Sequence, residues 1–506
     1  MDRRAKIVAT IGPASSQDDV LAGLLDDGVD VVRLNMSHGT REAHREVIRR
    51  LRALSTAQGR FVPVIIDLMG PRYRLGEIPG GPRALAEGEE VVLSATSVTE
   101  RTADIVLPVA DDDFLSHLRP GERLLIDNGH VELAVLAPAS GAVRTRVVHG
   151  GEVATRKGIN LPDTELPFTI SDKDRADIAF AVSEAADYLA VSFVGGADDL
   201  RAVRRVVSEA GGVIPLIAKL ERAAPLQHLD ETVTAADAVM VARGDLGVEL
   251  PVHDVPVWQK KIIAAGRRVG KPVIVATQML ESMMTQPRPT RAEASDCANA
   301  VFDGADALML SGETAAGEYP RQTVRTMSEI IREAEAYRPP SFDNLFDRSP
   351  EPMLPGASEK IHLEADLGSP PLASELQIPD VVSAAAVYAS HRLDVRRLVA
   401  FSQSGFSARM IARYRPRTPI VVFTREPEVA RRLQLVWGAR PRLIDAELET
   451  HDDVVRLVDR HLIDANLAEP GDVIQILMGA PIVERPLTNL MRVHRVRPAR
   501  ENGTDA

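Results

Sequence analysis

VIPLIAKLERAAPLQHLDETVTAADAVMVARGDLGVELP, residues 213–251, decides the fold. It holds two apolar runs, each ending in a burst of charge. The first, Val213 to Leu220, delivers Lys219 and Glu221. The second, Ala238 to Ala242, delivers Arg243 and Asp245, with Gly244 and Gly247 for sharp turning. Period-two alternation along a strand points Lys219 and Glu221 to one face. Glu221 and Asp245 offer the hard oxygens that a divalent cation takes. A lysine beside a carboxylate pair suits the stabilisation of negative charge that appears during a reaction. An ordinary lysine–glutamate ion pair on a barrel rim accounts for the same residues without chemistry. The flanking sequence separates the two.

Outward from this stretch the pattern repeats. KIVATIG (6–12), VDVVRLNMSHG (29–39), VPVIIDLMGPRYR (62–74), ADYLAVSF (186–193), KPVIVATQ (271–278) and ADALMLSGE (305–313) read as six further strands. Amphipathic helices lie between them, such as REAHREVIRRLRAL, for which Thr40 is the expected N-cap. A doubly wound open sheet shows similar alternation. Eight units with polar residues at almost every strand C-end favour a closed (β/α)8 barrel, whose reactive groups collect at that rim. The alternation breaks once, into short β-type runs separated by Gly, Pro and Asp. This predicts a small inserted β domain, placed at the rim to act as a lid. A Pro/Ser-rich aperiodic stretch then reads as a linker, followed by a second α/β unit. The expected division is barrel 1–71, insertion 72–168, barrel 169–337, linker 338–379, C-terminal α/β domain 380–498 and tail 499–506.

The chain has 506 residues and a formal net charge of -12. That balance, with no basic run, argues against a nucleic-acid binder. Cys297 is the one cysteine, which excludes an intrachain disulfide framework or a Cys-rich zinc site. No run approaches the roughly 20 apolar residues of a membrane span, and the run Ile7–Ile11 is too short for a signal segment. A cytoplasmic protein without membrane or nucleic-acid partners is expected.

In the second strand Arg33, Asn35 and Ser37 share a face. Arg33 has the shape for a phosphate; Asn35 and Ser37 offer neutral oxygens to a cation or water. A polar rim layer without function remains the alternative. Arg74 and Lys157 flank the insertion and would meet a polyphosphate on closure; either alone is more often a solvated charge. RGDLG places backbone N–H groups at a turn into a helix, a seat for a carboxylate or phosphate. Thr277 and Ser311-Gly-Glu313 end strands, and helix capping explains them equally. His38 reads as a turn residue. There is no P-loop, no kinase catalytic set and no dinucleotide glycine fingerprint. If the chain transfers phosphoryl groups, the barrel rim itself must hold the phosphates.

KIVATIGPAS, RLNMSHG, KGINLP, MVARGDLGVELP, KPVIVATQMLESM, PRPTRAEASD and LMLSGET together resemble the pyruvate kinase family. The resemblance runs almost continuously through the barrel and weakens in the other two domains. It implies a TIM barrel with an inserted small β-barrel lid and a C-terminal α/β regulatory domain, in a homotetramer. It implies phosphoryl transfer from phosphoenolpyruvate to ADP, giving ATP and pyruvate, with Mg²⁺ or Mn²⁺. On that resemblance Glu221 and Asp245 are the metal ligands. Lys219 stabilises the transferring phosphoryl group and the nascent enolate, and Arg33 takes the substrate phosphate. The amides of Gly244 and Asp245 hold the substrate carboxylate. Thr277 contacts substrate and takes part in protonation. Arg74 and Lys157 bind nucleotide phosphates.

Two departures from the family pattern stand out. Where many members read Asp-Thr-Lys-Gly-Pro-Glu-Ile-Arg and require K⁺, this chain reads Asp67-Leu68-Met69-Gly70-Pro71-Arg72-Tyr73-Arg74. Members with a basic residue there tend not to need K⁺. The expectation is that Arg72 supplies the charge K⁺ would bring to the cluster of Asn35, Ser37, Asp67 and the Leu68 carbonyl. In the C-terminal domain, Ser402, Ser404, Gly405 and Ser407 resemble the family's effector-phosphate loop, though a βα turn with a capped helix fits as well. The late loop Pro481–Pro486 carries Glu484, which would oppose a second phosphate. A sugar monophosphate or AMP is therefore the expected effector, rather than fructose 1,6-bisphosphate. Two rivals keep the question open: a metal-dependent lyase or aldolase on a related barrel, and a catalytically silent sugar-phosphate-binding regulator.

Overall fold

The structure is a computed structural model of the chain. It describes residues 3–95, 105–139, 141–164, 166–337, 374–446, 449–480 and 487–498. The expected linker core 338–373, the loop Pro481–Pro486 with Glu484, and the tail 499–506 lie outside the described residues.

Eight parallel strands close into a barrel. They are β1 (Lys6–Thr10), β2 (Val31–Asn35), β3 (Val64–Asp67), β4 (Tyr188–Val191), β5 (Leu216–Leu220), β6 (Ala238–Ala242), β7 (Val273–Ala276) and β8 (Ala307–Leu310). Each pairs with its neighbours in chain order, and β8 returns to β1. Such strands are buried on both faces, which is why they read as continuous apolar runs. Their outward residues pack under the helices in one large cluster. Their inward residues, among them Val8, Val31, Ile65, Ile217 and Met240, form a separate interior cluster. Helix Arg41–Ala57 starts where expected: the Thr40 hydroxyl accepts from Ala43 N at 3.2 Å. Helix Arg291–Asp303 carries a full capping box of Thr290 and Glu293.

After β3 the chain leaves the rim through Gly70. Its φ of 68° lies in the left-handed region, and a Cβ there would meet Ser192 O at 2.9 Å, so only glycine passes. The insertion forms a seven-stranded sheet and a two-stranded ribbon around its own apolar core, centred on Leu93, Phe114 and Val131. The outer strands of that sheet, Tyr73–Arg74 and Ile105–Pro108, meet through a Leu75–Val109 bridge. Gly76 N donates to Pro108 O at 2.7 Å and Ala110 N to Arg74 O at 2.9 Å. The sheet thereby curls onto itself.

The C-terminal domain is a five-stranded sheet of β9 (Arg397–Phe401), β10 (Ile420–Thr424), β11 (Ala439–Leu443), β12 (Val473–Met478) and β13 (Leu490–Arg495), in the order β11-β10-β9-β12-β13. Only β13 runs antiparallel within it. β11 reads ARPRL and is absent from the sequence reading, because Pro441 and alternating arginines mask it. At an edge, a proline costs the sheet little. Helix Ser374–Arg392 begins inside the stretch read as linker and contains Pro379.

This domain docks on the N-terminal mouth of the barrel. The Arg415 guanidinium meets buried Asp306 at 2.7 Å, and Arg431 meets buried Asp187 at 2.6 Å. Lys6 Nζ donates to Ala439 O at 2.9 Å. Burial is the main cause that holds the Lys6 ammonium down at about 8, against attraction from Asp30. An unfolded lysine titrates near 10.4. Between about pH 8 and about 10.4 the unfolded chain therefore binds more protons than the folded one at this site, and stability rises with pH. The difference in unfolding free energy between wild type and Lys6→Met should grow in favour of wild type from pH 8 to 10, by roughly 2–3 kcal/mol at full extent. Denaturant titrations along that pH series check it, and a flat difference contradicts it.

Candidate functional site

The C-terminal ends of the strands gather the charged residues. Asp67 ends β3 and is buried at 1% exposure. Its Oδ2 accepts from Arg33 Nε of β2 at 2.6 Å, and its Oδ1 lies 3.2 Å from Lys219 Nζ of β5. One carboxylate therefore holds two cations side by side. Lys219 Nζ also meets Glu221 Oε1 at 2.8 Å and donates to Ser192 Oγ at 2.6 Å. The second Glu221 oxygen accepts from Phe193 N at 2.6 Å. Arg33 Nη1 donates to Thr10 Oγ1 at 3.0 Å.

Burial alone would push the Asp67 carboxyl up, but the charges of Arg33 and Lys219 outweigh it and hold it below the ordinary range. Burial likewise opposes the Lys219 ammonium, yet Asp67 and Glu221 keep its pKa above the ordinary value. Glu221 goes the other way. Burial is the largest effect, Lys219 opposes it, and repulsion from Asp245 adds to it, so the carboxyl is pushed up to about 7. Glu221 and Asp245 thus repel one another across a buried rim. Two hard-oxygen donors in that condition fit a divalent cation.

Asp245 lies in the short helix Arg243–Glu249 that follows β6. Arg72, at the start of the insertion, reaches its Oδ1 at 3.2 Å and sits 5.8 Å from the centroid of the Phe193 ring. No hydrogen bond joins Arg72 to Asn35, Ser37 or Asp67 among the described residues. In that expected cluster Asn35 Oδ1 accepts from Ser37 N at 3.0 Å, and the Leu68 carbonyl accepts from Ser192 Oγ at 2.8 Å.

Thr277 follows β7 with φ 68°, and Gln278 follows it with φ 52°. A β-branched residue in the left-handed region carries about 1–3 kcal/mol of strain, the kind found at functional sites. The strain is held by neighbours. Gly244 N donates to Thr277 Oγ1 at 2.7 Å. Arg243 donates to Thr277 O at 2.7 Å and Gln278 O at 3.2 Å, and is anchored by Asp296 at 2.6 Å.

Arg74 and Lys157 stand apart from this cluster, in a cleft of 270 Å³ beneath the insertion. Arg72, Arg156 and Arg222 also line it, against Asp127 and Glu249. Lys157 pairs with Asp127 at 2.7 Å. Burial, then repulsion from Arg72 and Arg156, holds the Arg74 guanidinium below its ordinary range. The surplus of cations suits a small polyanion. In the C-terminal domain Gly405 has φ 77°, Ser402 is buried and Ser404 exposed. Ser407 Oγ accepts from Thr488 Oγ1 at 2.6 Å.

Two family models cover most of the chain: pyruvate kinase, barrel domain, over residues 2–324, and pyruvate kinase, alpha/beta domain, over residues 380–494. The chain belongs to the pyruvate kinase family. A pyruvate kinase of Mycobacterium tuberculosis (strain H37Rv) is 41% identical over 504 residues, covering 98% of this chain and 99% of the relative. One of Geobacillus stearothermophilus is 38% identical over 501 residues, covering 98% and 80%. A crystal structure of a pyruvate kinase from Cryptosporidium parvum superposes with a TM-score of 0.86 at 32% identity, over 98% of this chain and 96% of that one. The protein is accordingly a phosphotransferase of the pyruvate kinase family. No helix among the described residues is long and apolar enough to cross a membrane.

Sequence reasoning did not assign Thr10, Ser192, Phe193 or Arg243. Ser192 was findable, being a polar residue at the end of an apolar strand. Arg243 was seen but given no partner. Its planar fork grips two successive carbonyls, Ala276 O through Nε at 3.3 Å and Thr277 O through Nη2 at 2.7 Å, and lysine cannot copy it. Arg243→Lys should lower kcat on the order of 10²-fold through displacement of Thr277, with an unchanged circular dichroism spectrum. Steady-state kinetics with wild-type kcat would contradict this.

Proposed function

We propose that this pyruvate kinase family member transfers the phosphoryl group of phosphoenolpyruvate to ADP, with the residues of the barrel rim in the following roles. Arg33 and Lys219, set side by side by Asp67, take the phosphoryl group of the substrate. Lys219, held charged in a buried site, offsets the negative charge that develops on the migrating group and on the enolate oxygen. Glu221 and Asp245 would hold the divalent metal, Mg²⁺ or Mn²⁺, in place of the ion pair of Asp245 with Arg72. When bound, such an ion neutralises substrate carboxylate and phosphate oxygens. The amides of Gly244 and Asp245 orient the substrate carboxylate, the Gly244 N–H exchanging Thr277 Oγ1 for it, and the hydroxyl of Thr277, on its strained backbone, faces the carbon that becomes protonated. Arg74 and Lys157 hold the ADP phosphates in the cleft beneath the lid, and lid closure excludes water.

The observation that carries this reading is the single buried carboxylate of Asp67 shared by Arg33 and Lys219, with Glu221 on the same lysine. Removing one preorganised donor to a developing charge costs on the order of 10²–10³ in kcat. Lys219→Met should lose that much in a coupled assay of ATP formation from phosphoenolpyruvate and ADP. The assay should show no activity after chelation and recover it on adding Mg²⁺. A lyase or a silent regulator would form no ATP, and Lys219→Met would then change nothing.

The enzyme works without K⁺, because Arg72 brings a fixed positive charge to the same rim. In tetramethylammonium buffer, added K⁺ should leave the wild-type rate nearly unchanged, while Arg72→Glu should become K⁺-dependent. A large stepwise gain for wild type on K⁺ titration contradicts the assignment.

The loop Ser402–Ser407 receives a phosphorylated small-molecule effector with one phosphate. Thermal-shift screening with AMP, sugar monophosphates and fructose 1,6-bisphosphate tests it. A response to the bisphosphate alone goes against it. The working assembly is a homotetramer in the cytoplasm. Exposed Ile378 and Val381 on helix Ser374–Arg392, and Val493 on edge strand β13, support an interface between copies there.

A further inference from the structure

Among the described residues, the interior cluster of the barrel contains one that no barrel strand supplies. Leu435, from the C-terminal domain, is fully buried and belongs to the interior cluster with Val8, Val31, Ile65, Ile217 and Met240. It lies in the turn between helix Pro427–Arg432 and β11. Bonds on either side of it fasten that turn. Tyr188 Oη of β4 donates to Arg432 O at 2.9 Å, and Lys6 Nζ of β1 donates to Ala439 O at 2.9 Å. Trp437 N donates to Asp306 Oδ1 at 3.0 Å. At this end β6 and β8 contribute only Ala238 and Ala307 to the interior, which leaves room for a leucine from outside.

Inward residues recur every second position, a rise of roughly 6.6 Å. Two positions above Val31 stands Arg33; above Ile65, Asp67; above Ile217, Lys219. On β4 the inward series is Tyr188, Ala190 and then Ser192, the acceptor of Lys219. The apolar layer that Leu435 joins is therefore the floor beneath the charged layer. Packed interiors transmit displacement because they have no slack.

We propose that Leu435 is a positioning residue for Arg33, Asp67 and Lys219, and that the turn Arg432–Ala439 is part of the catalytic barrel although it belongs to another domain. The proposal rests on the roles assigned to Arg33 and Lys219 above. Removing side-chain volume from the floor lets the strand ends settle, and the two cations lose the spacing that a transition state needs more than a bound substrate does.

The test uses the full-length chain as Leu435→Ala, Leu435→Met and Lys219→Met, assayed well below the melting temperature with near-UV circular dichroism recorded under assay conditions. Leu435→Ala should remain folded and lose about tenfold or more in kcat, with KM for phosphoenolpyruvate little changed. Leu435→Met, which keeps the volume, should return close to wild type. A Leu435→Ala enzyme with a lower melting temperature but wild-type kcat overturns the proposal, since Leu435 would then only be a stopper. If Leu435→Ala does not fold, Leu435→Val carries the same comparison. Full activity in Lys219→Met would instead overturn the roles on which the proposal rests, whatever Leu435 shows.

Discussion

Two cations on one carboxylate set the terms for the whole rim. Arg33 and Lys219 are each about as buried as an ordinary core residue, and so are Asp67 and Glu221. Withdrawing an ion from water costs roughly several kcal/mol even after relaxation. Attraction within the cluster offsets that only if geometry is tight. Asp67 provides it by bonding Arg33 through one oxygen and Lys219 through the other. The cost explains why three strands are needed to build the pair, since β2, β3 and β5 must hold their ends in fixed register. Such a cluster is poor as a device for stability and good as a device for placing charge.

Around that pair, the rim is divided by charge. On one side stand the carboxylates of Glu221 and Asp245, where burial first and repulsion from Asp245 after it raise the Glu221 carboxyl against the pull of Lys219. On the other, Arg74 gathers with Arg72, Arg156 and Arg222, and burial together with repulsion from Arg72 and Arg156 lowers its guanidinium. Arg72 stands where these two regions meet, touching Asp245 and lining the cleft. A reaction that moves a highly charged group between two acceptors suits a site whose potential changes sign across it. The Gly70 exit from β3 places Arg72 there, which ties the insertion to the chemistry through six residues of chain, Asp67 to Arg72.

Much of this was legible in the sequence because parallel strands buried on both sides leave uninterrupted apolar runs, and the polar residues that end them mark the rim. Arg33, Asp67, Lys219, Glu221 and Asp245 all stood out in that way. Asp67 reads from the sequence as one ligand of a cation cluster, and in the structure it clasps two side chains. Ser192 shows the same mark, a polar residue ending an apolar strand, but its contact with Lys219 exists only once β4 and β5 are neighbours. The contact of Thr10 with Arg33 likewise exists only once β1 and β2 are paired. The left-handed backbone of Thr277 leaves no mark in composition, since a threonine after a strand is ordinary. The edge strand β11 escaped because proline and arginine argue against a strand anywhere except at an edge. Leu435 could not be seen at all, because helical periodicity says that a residue is covered without saying by which domain.

The seam between the barrel base and the C-terminal sheet, with Asp306 gripping Arg415 and Asp187 gripping Arg431, bears on how such proteins can be recombined. A graft that exchanged the C-terminal part at the chain position where it begins would leave buried Asp306 without Arg415, strip Asp187 of one of its two arginines with Arg52 alone remaining, and open the barrel floor to water. Modularity in this architecture therefore follows the seam rather than the order of residues, and any transplanted C-terminal part has to bring its own matching base.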